Sequence, residues 1–246
     1  MRHILINGSP KSATLYLATA IERLESCTRM RIATRGLWSS QVDVEAMQAF
    51  LALPAGVAQQ HIAPTEYNIR LLREFGLTRF VLIVRDPRDV LVSWFHHLHR
   101  DDIRAQHWHY ALCLANDLLS EGWYALEREA QMDALVERAF PRFQEWIRDW
   151  VGIVDRSDLA IRMLRYEDFT RDGRSGVEEL LAFFGRQRPV AEAELPPVRA
   201  DGGIDRTTHF RRGKVGSFRD ELAPHQVARL RAMIDDALYE RLGWPL

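Results

Sequence analysis

Lysine is nearly missing from this chain. Of the 33 Lys plus Arg in 246 residues, only Lys11 and Lys214 are lysine, so basic positions default to arginine. A lysine kept in a loop therefore marks a place that wants a compact ammonium rather than a planar fork, because the two differ wherever a point charge must follow an oxygen. Cysteine is equally scarce: Cys27 and Cys113 have no metal or redox spacing and read as buried reduced thiols. Net charge is also lacking, and a balance of −1 argues against a general nucleic-acid or polyanion binder while leaving room for a local basic pocket. No apolar run reaches the length of a membrane span, and the N-terminal one is too short for a signal-peptide core. A cytoplasmic location is the resulting expectation. Internal repeats and low-complexity tracts are absent as well.

What is present is enough apolar material for a sizeable core, 47% of the residues. His3 to Ile6 is a short apolar run, Asn7-Gly8-Ser9-Pro10 carries turn chemistry, and Leu17, Ile21 and Leu24 follow at helical spacing. Met30 to Ala33 and Val57 to Ile62 are candidate strands, with a helix predicted over Ser39 to Leu53 between them and a break at Pro54-Ala55-Gly56. Thr65 is a predicted N-cap for a helix carrying Leu71, Leu72 and Phe75. Phe80 to Val84 is the clearest strand, uniformly apolar as expected when both sheet faces are covered. After Pro87 a helix places Leu91, Trp94, Phe95 and Leu98 on one face.

His96 to Tyr110 reads as irregular, and Ala111 to Asp149 as helix interrupted near Gly122 and Pro141. Leu159 to Leu164 is a candidate strand, and the helix after it ends at Gly185, suited to a left-handed C-cap. Pro189 to Thr208 reads as a long loop, and a last helix packs Val227, Leu230, Ile234 and Leu238. Alternating strands and helices predict an α/β fold: a single domain over residues 1–246 with a central parallel β-sheet flanked by helices.

Three stretches carry anion chemistry. The strand–turn–helix around Lys11 is a cradle in which first-turn N–H groups, at the positive end of the helix dipole, meet a phosphate. Arg85 to Ser93 lies at the carboxyl end of the best strand, where open parallel sheets bind ligands. Arg211-Arg212-Gly213 is a basic, glycine-containing turn.

Together these stretches resemble the sulfotransferase family that uses 3′-phosphoadenosine 5′-phosphosulfate (PAPS). Pro10-Lys11-Ser12-Ala13-Thr14-Leu15-Tyr16-Leu17 is similar to the family's Pro-Lys-Ser-Gly-Thr-Thr-Trp-Leu loop for the 5′-phosphosulfate, a P-loop-like element. Arg85-Asp-Pro-Arg-Asp-Val-Leu-Val-Ser93 resembles its 3′-phosphate motif. Arg165-Tyr166-Glu167-Asp168-Phe169 with Phe183-Phe184-Gly185, and Phe210 to Arg219, resemble two further elements in the family's order.

The resemblance implies sulfuryl transfer from PAPS to an acceptor hydroxyl or amine, with 3′-phosphoadenosine 5′-phosphate (PAP) as product and no metal. It implies that Pro10, Lys11, Ser12, Ala13, Thr14, Leu15 and Tyr16 hold the phosphosulfate side. Arg85, Ser93, Arg211, Arg212 and Gly213 would hold the 3′-phosphate, with Tyr16 and Tyr166 at the adenine. Tyr16 also reads as a core aromatic of its helix. The departures are Ala13 for a family Gly, Leu15 for Thr, Tyr16 for Trp and Arg212 for Lys.

His61, in Gln60-His61-Ile62-Ala63-Pro64, resembles the family's general base, and Gln59 stands where the family has Lys. The alternative is a strand-end histidine bonded to backbone. Lys11 would stabilise the leaving phosphate, and Ser93 would contact the 3′-phosphate and restrain Lys11. His96, His97, His99, His107 and His109 lack the acidic or cysteine partners of a metal site and read as pocket lining or a solvated loop. Two rival functions stay open, a P-loop kinase or NTPase and a non-catalytic nucleotide binder. Against the first, no Gly directly precedes Lys11. The partner implied is a small-molecule acceptor, with no nucleic acid; neither its identity nor the oligomeric state is legible.

Overall fold

Five parallel strands form the centre of a single α/β domain, in the order β2-β3-β1-β4-β5. The structure is a computed structural model in which residues 2–156, 158–197 and 214–246 are described. The strands are β1 (His3–Gly8), β2 (Thr28–Arg29), β3 (Gly56–Gln60), β4 (Arg79–Val84) and β5 (Ala160–Arg165). The first helices are α1 (Thr14–Glu25), α2 (Val44–Ala52), α3 (Glu66–Glu74), α4 (Pro87–Leu98), α5 (Asp101–Arg104), α6 (His107–Ala115) and α7 (Arg128–Arg156). They are followed by α8 (Tyr166–Phe169), α9 (Gly173–Phe183), α10 (Phe218–Glu221), α11 (Pro224–Met233) and α12 (Asp236–Leu242).

Period-two alternation decides which side chains enter which layer. Along β4, Phe80, Leu82 and Val84 join one core with α3, α4 and α7, while Val81 and Ile83 join the other with α1 and α9. All five are fully buried. Burial on both faces is why Phe80 to Val84 reads as a continuous apolar run. Thr65 caps α3 as predicted, its side chain accepting from Asn68 N–H, a contact that contributes about 1 kcal/mol. Gly185 adopts φ 77° just beyond α9, and Arg186 N–H bonds back to the Leu181 carbonyl at 2.9 Å.

Four expectations are corrected. The second strand is Thr28–Arg29 rather than Met30 to Ala33, because Ile32 and Ala33 turn into the core and Ala33 bridges antiparallel to Val42. His96 to Tyr110 is largely helical (α4 to α6); buried His97 and His109 occupy positions where an apolar period would have shown. Pro141 interrupts nothing: it lies inside the 29-residue α7. Val136, Phe140 and Phe143 are fully buried around it, and that packing outweighs the lost backbone bond. The last helix is two, because Asp235 caps α12 by accepting from Leu238 N–H.

No helix among the described residues is long and apolar enough to cross a membrane. Cys27 and Cys113 are both free and buried.

Candidate functional site

The carboxyl ends of β3, β1 and β4 are neighbours, so the segments that leave them converge. The β1 loop brings Pro10 to Leu15, β3 brings Gln59 to His61, and β4 brings Arg85. They wall a cavity of about 370 Å³ that also touches Arg31, Arg35, Ser93, Trp108, Tyr166 and Lys214.

The β1 loop is tightly wound. Gly8 is required where it starts, since a Cβ there would sit 2.6 Å from the Ile83 carbonyl oxygen. Ser9 N–H donates to that carbonyl at 3.0 Å. The Ser12 hydroxyl, buried, donates to the Ser9 carbonyl, with the Ile83 carbonyl at 3.3 Å. Lys11 and Ala13 both have φ 67°. A left-handed alanine costs about 1 kcal/mol or more, so the loop takes up the shape that glycine would adopt freely. Ala13 is the N-cap residue of α1, with no side-chain cap and no acidic residue in the first turn. The positive end of a twelve-residue helix thus meets the cavity through Ala13, Thr14 and Leu15.

His61 has a defined tautomer. Its Nδ1 donates to the Gly8 carbonyl at 2.7 Å, which leaves Nε2 as the lone-pair nitrogen. Gln59 Nε2 lies 3.3 Å from that nitrogen and donates to Thr14 Oγ1 at 3.0 Å. Burial pushes the imidazole down to about 4, against the Gly8 bond, with the Arg31 and Lys11 charges adding to the fall.

Arg85 is a clasp. Its Nη1 donates to the Lys11 carbonyl at 3.0 Å and its Nη2 to the Lys214 carbonyl at 3.2 Å. Its guanidinium lies 4.1 Å from the centre of the Tyr166 ring. Nε of Arg85 is buried with no hydrogen-bond partner among the described residues. Asp89 holds the same region: its carboxylate accepts from Gly216 N–H at 2.6 Å, Ser217 Oγ at 2.9 Å and Phe218 N–H at 3.1 Å. Asp89 was legible only as part of the Arg85-Asp-Pro-Arg-Asp run.

Arg88 turns away from the cavity. It forms a buried pair with Asp86, its Nη2 reaching Oδ2 at 2.7 Å, and Tyr239 donates to Asp86 Oδ1 at 3.1 Å. Glu167 accepts from Asp86 N–H at 2.8 Å, and burial raises its carboxyl above the usual range.

Of the residues expected at a phosphosulfate, Pro10, Lys11, Ala13, Thr14 and Leu15 line the cavity, as do His61, Arg85, Ser93 and Tyr166. Two do not. The Ser12 hydroxyl is taken up inside the loop, and Tyr16 is buried in the core, edge-on to Phe169 with ring centres 5.6 Å apart. Arg211, Arg212 and Gly213 lie outside the described residues. The histidines disperse: His96 pairs with Glu221, His99 meets Phe95 O and Gln131 Oε1 at 2.8 Å each, and His107 is exposed. His97 and His109 line the cavity. Among the described residues no three His, Cys, Asp or Glu converge as metal donors. Arg31 and Arg35 carry no signal in the sequence beyond a four-residue spacing after β2.

Residues 70–242 match the family model for the sulfotransferase domain. Among solved structures, a mouse sulfotransferase complexed with PAP superposes with a TM-score of 0.62 at 18% identity, covering 98% of this chain and 88% of that one. Retinol dehydratase in complex with androsterone and inactive cofactor PAP gives 0.59 at 16% identity, covering 96% and 80%. At such identities the likeness establishes the fold. No curated protein matches the sequence.

Proposed function

The chain belongs to the sulfotransferase domain family, and from that premise we propose that it moves a sulfuryl group from PAPS to an acceptor hydroxyl or amine. One observation carries the reading: His61, its Nδ1–H committed to the Gly8 carbonyl, keeps an unprotonated Nε2 in the cavity that Lys11 also lines. PAPS, when bound, supplies an electrophilic sulfur on a phosphate leaving group. The residues suit it: an uncapped helix N-terminus, a lysine at its mouth, and a buried Arg85 Nε lacking an acceptor.

Each residue then has one task. His61 Nε2 accepts the acceptor's proton as the oxygen or nitrogen attacks sulfur in line, and the Gln59 amide gives way to that proton. Burial keeps the imidazole neutral and ready. Lys11 places its ammonium on the charge that grows on the departing oxygen, helped by the N–H groups opening α1. Arg85 holds the Lys11 and Lys214 carbonyls and so fixes the loop's shape. Ser93 and Tyr166, on the β4 and β5 side, serve the 3′-phosphate and adenine ends, with Arg211, Arg212 and Gly213 completing the phosphate site.

The acceptor is a small molecule, a reading supported by the androsterone held in the retinol dehydratase structure. Residues 1–246 act as one sulfotransferase domain, since β1, ahead of the matched residues, pairs with both β3 and β4. The free, buried thiols fit a cytoplasmic setting.

The test has two stages. PAP without Mg²⁺ should raise the melting temperature; stabilisation by ATP with Mg²⁺ alone would instead favour a P-loop kinase or NTPase. Then Lys11→Ala and His61→Ala should each slow sulfate transfer from labelled PAPS at least about a hundredfold. Wild-type rates in both would end this mechanism.

A further inference from the structure

The sheet order lays the cavity out from one edge to the other. Arg85 and Tyr166 follow β4 and β5, the loop with Lys11 follows β1, and Arg31 and Arg35 follow β2 at the far edge. Three strand spacings, about 14 Å, separate the β2 end from the β4 end. Arg31 and Arg35 are thus on the acceptor side of His61, away from the residues that hold a nucleotide.

Their charges are not neutralised by a direct carboxylate partner among the described residues, although Arg29, two positions before Arg31, pairs with Glu22 at 3.3 Å. Asp102, the carboxylate in the cavity wall, is gripped by Arg100 through bonds of 2.9 and 2.7 Å. The two arginines also act on each other: partial burial, then the charge of Arg35, hold Arg31 below the usual guanidinium range. The Arg35 guanidinium lies 4.8 Å from the centre of the Trp108 ring, which is 42% exposed. Two like charges therefore face one cavity beside an open aromatic surface. An anion there relieves their repulsion and takes up both forks, while the indole supplies a flat apolar wall.

Resting on the sulfotransferase reading, we propose that the acceptor carries an anionic group, a carboxylate or similar oxyanion, which Arg31 and Arg35 hold while its apolar body lies along Trp108. The nucleophilic hydroxyl or amine is then at the opposite end of the acceptor, toward His61. Selectivity comes from a charge held far from the reacting atom.

A matched pair of acceptors reads this directly: 3-(4-hydroxyphenyl)propanoate and its neutral amide, nearly equal in shape. With labelled PAPS the wild type should prefer the carboxylate in kcat/KM by about tenfold or more at low ionic strength, and less in high salt. In Arg31→Gln/Arg35→Gln the ratio should fall close to one, with Arg35→Gln alone in between. Calorimetric titration of the carboxylate, with and without PAP, separates the two readings. If PAP fails to stabilise the protein but the carboxylate binds wild type and not the double variant, the anion site stands and the sulfotransferase reading falls. If PAP binds and transfer proceeds without preference for the carboxylate, or the preference survives in the double variant, the anion site is wrong. It is equally wrong if neither acceptor binds, or if the double variant loses PAP affinity about tenfold, which would assign these arginines to the nucleotide.

Discussion

Arg85 Nη1 donates to the Lys11 carbonyl at 3.0 Å, joining the carboxyl end of β4 to the loop that follows β1. The residue expected to grip a phosphate is occupied in shaping the loop that, on the sulfotransferase reading, holds the phosphosulfate. A lysine in its place reaches one carbonyl but not both, so the fork cannot be replaced conservatively. Arg85→Lys should weaken PAP binding by about tenfold and lower stability by about 1–3 kcal/mol, measured by calorimetry and urea denaturation. Unchanged PAP affinity would mean that the clasp is dispensable for binding.

Ala13 holds a left-handed conformation that glycine adopts without strain. Ala13→Gly removes a cost of about 1–2 kcal/mol and adds unfolded-state entropy of about 0.5–1 kcal/mol, so a change between about zero and a gain of about 1.5 kcal/mol is expected. Ala13→Val, β-branched at the same φ, should instead lose stability and PAP affinity together. Chemical denaturation of the pair checks both signs.

His61 predicts two pH effects. As a base it works only when neutral, and its lowered value keeps it neutral down to about 4, so the acidic limb of kcat/KM should fall well below 6.5, the ordinary histidine value. Stability follows from the same shift. Between about 6.5 and about 4 the unfolded chain binds a proton at this position and the folded chain does not, so stability declines as pH falls through that window. His61→Asn should flatten that part of the stability curve. An acidic limb near 6.5 would show the imidazole to be ordinary.

Asp89 gathers two backbone N–H groups and a serine hydroxyl from residues 216–218 while fully buried. Asp89→Asn turns an amide N–H₂ against those donors and should cost about 2–3 kcal/mol. Loss of PAP affinity should accompany it, because the same segment carries the Lys214 carbonyl that Arg85 holds. Urea denaturation and PAP titration of the variant give both quantities; wild-type values for each would show the carboxylate to be redundant.

Legibility tracked whether one local rule governed a segment. Phe80 to Val84 obeyed burial alone and was read almost to the residue, as was the Thr65 cap. His97 and His109 broke the pattern because polar rings took buried positions beside Trp94, and α7 continued through Pro141 because neighbours in space outvoted the chain. At the site, motif residues such as Lys11, His61 and Arg85 announced themselves by type and order. Partnerships did not. Tyr16 is open in the sequence between the adenine and the core of its helix, and only its contact with Phe169, far along the chain, decides for the core; Ser12 spends its hydroxyl on the Ser9 carbonyl, a local bond that the motif's order does not reveal.

The strand order has a practical corollary. Because β2 is an edge strand, Arg31 and Arg35 reach the cavity from the rim of the sheet, while Ile32, Ala33 and Trp38 of the same segment are buried in the core and anchor it. Varying the two arginine positions while keeping the anchors should, on the sulfotransferase reading, redirect which acceptors are modified and leave the fold intact, an economical starting point for a library of biocatalysts.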